Sequence, residues 1–226
     1  MAFKVYPVAS KIGKRGGHIR YQSLRSDLVR WMKQDRNSDA RFTTMVDLYR
    51  LPTDFPGYDN CRSHHSPNQR AECLEKALYD DLADPRLVPY IQLHEFEALL
   101  FADPQQFLVA FPDQQQIITR LEAVCKEFPS PEHIDDETSP AMRISGLLPA
   151  YSKPVHGTLI AKKITASAMR RKCAHFDTWL DAAGVAQPIY LTCSSFSTLP
   201  SRMWMMRWAF IAMSCSCVTR TIVLPC

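Results

Sequence analysis

Hydrophobic positions along the first hundred residues switch between two spacings. Residues 3–9, FKVYPVA, alternate and predict a short strand, and the glycines of KIGKRGG then break the pattern into a loop. From Ile19 to Lys33 the apolar residues Ile19, Leu24, Leu28, Trp31 and Met32 recur at helical spacing while charges fill the other face, which predicts an amphipathic helix. RFTTMVDLY, residues 41–49, is short, apolar and β-branched. It reads as a buried strand with Asp47 at its carboxyl end, before the turn-rich LPTDFPGYDN. Residues 66–82, SPNQRAECLEKALYDDL, open with a serine followed by a proline at the first helical position. LVPYIQL, residues 87–93, is a second strand, and HEFEALLF runs on from it as a helix, without a turn residue until ADP at 102–104.

Strand, helix, strand, helix predicts an α/β fold with a mainly parallel central sheet flanked by helices. The second half reads as helical, with segments near residues 104–110, 114–127, 140–147, 155–165 and 167–183. Ser130, Pro131 and Glu132 mark a further helix start in the proline-rich FPSPEHIDDETSP. The expected organisation is one α/β domain over residues 1–186, with a helical extension at 102–183, and an atypical tail at 187–226.

The tail contains no Asp, Glu, Lys, His, Asn or Gly, while Met, Trp, Cys and Ser crowd together. A globular surface needs charge, so this composition fits either a buried or partner-covered extension or an out-of-frame translation. It favours the second.

The net charge of +4 hides a division. Residues 1–36 hold nine Lys or Arg against two Asp, whereas residues 37–186 are acidic on balance. The basic loop with Lys11, Lys14 and Arg15 is a candidate phosphate contact, against the commoner reading of a solvated charged face. There is no signal-like amino terminus and no apolar run of about 18 residues, so a cytoplasmic protein with no membrane span is expected. The eight cysteines follow no framework spacing and are expected to be reduced thiols.

The run YIQLHEFEALLF, residues 90–101, sets His94, Glu95 and Glu97 among core-type residues, where an uncompensated carboxylate is costly. Asp47 and the Glu95/Glu97 pair lie just beyond predicted strand ends, where open parallel sheets collect ligands. Carboxylates converging there would suit Mg²⁺ or Mn²⁺ and phosphodiester hydrolysis. The alternative is a helix with one glutamate in solvent and the other paired. Cys61, His64, His65 and Cys73 have the wrong spacing for a zinc finger, and Cys173 with His175 lacks an orienting third residue. Lys153 and His156, in YSKPVHGTLIAKK, precede a helix that could receive a phosphate, or form a loop lysine and a capping histidine.

Five stretches occur in order, TTMVDLYRLPTDFPG (43–57), YIQLHEFEALLFADP (90–104), FPSPEHIDDETSPAMRI (128–144), KPVHGTLIA (153–161) and CAHFDTWL (173–180). Together they resemble a bacterial family known as domain of unknown function 4276, over about residues 5–183. The resemblance implies a TOPRIM-like, metal-dependent nuclease-like subunit encoded beside ABC-like or SMC-like ATPases in phage-defence loci such as abortive infection. By motif it places the acidic ligands at Asp47, Glu95 and Glu97, with Lys153 and His156 in another family motif. The chain departs from that pattern in lacking a first strand ending in glutamate, and Asp47 is followed by Leu48 and Tyr49 rather than by a second aspartate. The expectation is therefore a truncated, nuclease-like protein that such truncation could leave inactive. The competing expectation is a non-catalytic module that regulates an ATPase partner.

Overall fold

A computed structural model describes residues 4–7, 20–134, 137–185 and 220–224. The basic residues Lys11, Lys14 and Arg15 and nearly all of the atypical tail lie outside the described residues. The chain divides into two compact units, with the boundary between Gln92 and Leu93.

The first unit is the α/β part. Its elements are β1 (Lys4–Pro7), α1 (Tyr21–Gln34), β2 (Arg41–Asp47), α2 (Pro67–Leu82), β3 (Leu87–Val88), β4 (Ile91–Gln92) and, from the far end of the chain, β5 (Arg220–Leu224). The sheet order is β1-β5-β2-β3, and β4 also pairs with β2. β2 runs parallel to β3 and β4, with α2 as the crossover, as the strand-helix-strand pattern predicts. The expectation of a mainly parallel sheet is met on one side of β2 only. β5 lies between β1 and β2, antiparallel to both, so the sheet is mixed rather than mainly parallel.

The predicted strand over residues 87–93 is two pieces in one register, Phe42 opposite Leu87 and Thr43 opposite Val88, then Val46 opposite Ile91 and Asp47 opposite Gln92. The gap falls at Pro89, which has no N–H to donate to a ladder. Thr44 bridges it: its Oγ1 accepts from the Tyr90 N–H at 3.1 Å and donates to the Tyr90 carbonyl at 3.0 Å.

Helix α1 buries Leu24, Leu28, Trp31 and Met32, the stripe its spacing predicts. Both carboxylate oxygens of Asp54 accept from the Tyr21 N–H and so cap the helix start, where backbone donors have no helical partner. At the other end Arg86 donates to the carbonyls of Met32 and Asp35, and its ion pair with Asp84 holds that carboxyl below its usual range. Ser66 occupies the cap position of α2 with Pro67 next to it, although the serine side chain makes no capping bond.

The loop between β2 and α2 is tied to the helix by a Cys61–Cys73 disulfide, which corrects the expectation of free thiols at these positions. Gly57 makes the close approach possible. It has φ of +75°, and a Cβ there would stand 2.7 Å from the Ala77 Cβ.

The second unit is helical: 3-10 turns at Phe96–Ala102, Pro104–Val109 and Pro131–His133, then α3 (Gln115–Glu127), α4 (Pro140–Leu147), α5 (Thr158–Ile164), α6 (Ala166–Lys172) and α7 (Ala174–Ala182). Ala98, Leu99, Leu100 and Phe107 are fully or almost fully buried and form its centre with Ile118, Leu121, Ile160, Met169 and Phe176. Each large apolar side chain there contributes about 1.5–3 kcal/mol by leaving water. Arg170 of α6 is buried against α7, pairing with Asp177 and Asp181 and donating to the Val185 carbonyl.

Candidate functional site

The acid-bearing run does not form the predicted helix through its glutamates. His94 has φ of +59°, Glu95 is extended, and only at Phe96 does a 3-10 turn begin. A residue in the left-handed region cannot continue a right-handed helix, so the backbone turns at His94 and re-aims Glu95 and Glu97. The alternative of a helix with one glutamate in solvent is corrected by burial: His94, Glu95 and Glu97 are 5%, 7% and 1% exposed. All three are inside.

Glu95 meets its cost at a helix end. Its Oε2 accepts from the Ala141 N–H at 3.0 Å, in the first turn of α4, where the helix dipole favours negative charge. Glu97 is compensated differently. The Lys153 ammonium stands 2.7 Å from its Oε2. The two form an ion pair whose carboxylate end is buried. Burial pushes the Glu97 carboxyl up from its usual range, Lys153 pulls it back, and the neighbouring negative charge of Glu95 pushes it up again; the net direction is upward.

The lysine comes from a π-helical turn, Lys153–Gly157, that leads into α5. Its ammonium also lies 5.8 Å from the centre of the Phe96 ring, within cation-π range. His156, in the same turn, accepts from the Ser152 N–H at Nδ1 and packs its ring 4.7 Å from Phe111. That is the capping histidine of the sequence alternatives.

Tyr151 completes the cluster. Its hydroxyl is buried, and burial first, then the neighbouring Glu97 carboxylate, push its ionisation far up. Gly157 leaves the room, since a Cβ there would stand 2.7 Å from the Tyr151 oxygen. Sequence reasoning does not find Tyr151. Its place two residues before Lys153 is a signal, but nothing local says that a tyrosine hydroxyl will be buried beside an acid.

Asp47 is half-buried at the carboxyl end of β2, in the first unit, with Gln92 as its cross-strand partner. Among the described residues no group of three or more His, Cys, Asp or Glu side chains stands ready to hold a metal ion. Magnesium, however, commonly takes only one or two carboxylates and keeps its waters or a substrate phosphate. Glu95 and Glu97 are carboxylates of the kind such an ion takes, and the Lys153 ammonium stands on Glu97 Oε2.

The remaining candidates are inert. His64 and His65 are exposed beside a cysteine already in the disulfide. Cys173 is fully buried and its thiol is pushed far up by burial and by Glu132, the opposite of an activated nucleophile. Next to it, His175 lends its backbone rather than its ring. The buried Glu132 carboxylate accepts from the N–H groups of His175 and Phe176 at 3.0 and 2.9 Å and caps α7.

No curated protein and no solved structure matches the chain. A family model does match, over residues 1–182, which takes in the described parts of both units up to the last turn of α7. The chain belongs to the family described as domain of unknown function (DUF4276).

Proposed function

We propose that this chain is a divalent-metal-dependent, nuclease-like protein of TOPRIM-like descent, acting in the cytoplasm within a bacterial phage-defence system. The observation that carries the proposal is Glu97: a carboxylate 1% exposed, beside a second carboxylate, and balanced by one partly exposed lysine. Buried carboxylates with raised pKa values concentrate at functional sites.

Glu95 and Glu97 would hold Mg²⁺ or Mn²⁺. When bound, the ion polarises a phosphoryl oxygen and lowers the pKa of its water. Lys153 and His156 lie beside the cluster, and the ammonium is suited to meet phosphate charge. The basic loop with Lys11, Lys14 and Arg15 would hold the nucleic-acid backbone without reading bases. The role of Asp47 as a ligand rests on its place at a strand end and is tested by its own substitution. Hydrolysis would break one P–O bond, with water giving its hydroxyl to phosphorus and its proton to the leaving oxygen.

The test is incubation of the purified chain with DNA or RNA and either metal. Cleavage should require the ion, stop in EDTA, and disappear in Asp47→Ala and Glu97→Ala variants that keep their fold. Cleavage that survives EDTA, or none with either nucleic acid and either metal, overturns the proposal.

A second reading is favoured by a specific observation: Glu95 already caps α4 and Glu97 already faces Lys153, which is how a purely structural pair would look. The chain would then be a non-catalytic module that regulates an ABC-like or SMC-like ATPase. Manganese separates the two. A bound ion raises the melting temperature with its occupancy, and the Glu95→Ala/Glu97→Ala double variant should lose that rise. A flat response in the wild type favours the module.

A further inference from the structure

We propose that Lys153 is a built-in counter-cation of the acid cluster, and that a divalent ion reaching Glu97 must displace it. Lysine and metal would thus compete for one carboxylate oxygen. The inference rests on the proposed metal site and adds its regulation.

Three features support a contest rather than shared occupancy. At 2.7 Å from Glu97 Oε2 the ammonium fills the space a hard cation takes, since oxygen ligands stand about 2.0–2.6 Å from magnesium or calcium. Two cations on one oxygen would repel strongly in a buried setting. The lysine is also the better suited of the two partners to move: its side chain is 22% exposed against 1% for Glu97, and its long apolar stem can carry the charge outward. Finally, one ammonium stands against two neighbouring carboxylates, Glu95 and Glu97. A divalent ion would neutralise both.

Displacement also gives the lysine a task. Swung out of the cluster, its ammonium can meet a phosphate at the rim. Metal arrival would then arm the anion contact, and in its absence the cluster would stay closed on its own lysine.

The experiment uses the whole chain and manganese alone. Mn²⁺ affinity is measured by electron paramagnetic resonance for the wild type and for Lys153→Met, and lysine accessibility by reductive methylation read by peptide mass spectrometry. Lys153→Met should bind manganese about tenfold more tightly, a normal strength for coupling between competing sites. In the wild type, labelling of Lys153 should accelerate several-fold on adding manganese. In Glu97→Gln it should be fast with or without the ion. If the wild type binds manganese while Lys153 labelling stays constant, or if Lys153→Met binds equally or more weakly, the competition is wrong and the metal site stands. If neither protein takes up manganese, both ideas fall. Should Lys153→Met not fold, the labelling of the wild type decides alone.

Discussion

Lys153 and Glu97 approach to 2.7 Å across most of the second unit's sequence, joining the rim of a π-helical turn to a carboxylate buried in the 3-10 turn Phe96–Ala102. Removing one partner of a buried pair leaves the other charged and desolvated, whereas replacing both leaves only a packing change. Lys153→Met is therefore expected to cost about 3 kcal/mol, with partial exposure of the lysine keeping it at the lower end of the usual range. Lys153→Met/Glu97→Leu should recover most of that loss. Urea unfolding of the wild type, the two single variants and the double variant closes a cycle that reads the coupling directly. Additive losses would show that the contact carries no energy.

The raised carboxyl of Glu97 makes a signed prediction about pH. A carboxyl pushed up in the folded protein holds its proton over a window where the unfolded chain has lost it. The folded state then binds more protons, and stability falls as pH rises. The window opens near the ordinary glutamate value of about 4.3 and closes at the raised one. Glu97→Gln should flatten the stability profile in that window, measured as melting temperature against pH. An identical slope in the variant would show that Glu97 titrates normally.

Glu132 carries a larger structural consequence than its unremarkable position suggests. Its two oxygens accept from the N–H groups of His175 and Phe176 in the first turn of α7, and the group is 4% exposed. Glu132→Ala removes a cap and strands two buried donors, for a loss of about 2–4 kcal/mol. At about 2–4 °C per kcal/mol for a chain of this size, the fall in melting temperature is easily measured. Glu132→Gln keeps one acceptor oxygen and should lose markedly less. Equal losses in the two variants would point to packing rather than capping.

Legibility of the fold in the sequence divides by range. The stripe Leu24, Leu28, Trp31 and Met32 and the Ser66-Pro67 start of α2 are readable because helix geometry is local. The pairing of β2 with the 87–93 segment follows from their buried patterns, but the break at Pro89 stays hidden until Thr44 is known to lie opposite. The site shows the same division. Glu95 and Glu97 stand out as misplaced charges and Lys153 as a motif lysine, each from its immediate neighbours. That Lys153 faces Glu97, that Glu95 ends on α4 and that Tyr151 is buried beside them are contacts between distant segments, which no spacing rule encodes. The His94 turn escapes sequence reasoning because its neighbours are good helix formers, and tertiary packing overrides their preference.

The disulfide yields the last prediction. Cys61 and Cys73 are 12 residues apart and join a 3-10 turn to the first half of α2. A crosslink closing so short a loop removes freedom mainly from the unfolded chain, which corresponds to about 2–3 kcal/mol. The loop it holds also carries Asp54, the cap of α1, and Phe55, which meets the Tyr21 ring edge-on. Reduction should therefore loosen the start of α1 as well as the loop. The expected result is a drop of about 5–10 °C in melting temperature on adding a phosphine reductant, taking about 2–4 °C per kcal/mol. Hydrogen exchange at the Tyr21 amide should rise with it. Cys61→Ser/Cys73→Ser should start at the lower temperature and ignore the reductant. Protein prepared without reductant that shows both thiols free by alkylation, and melts no differently when reductant is added, would show that the bond does not form in solution.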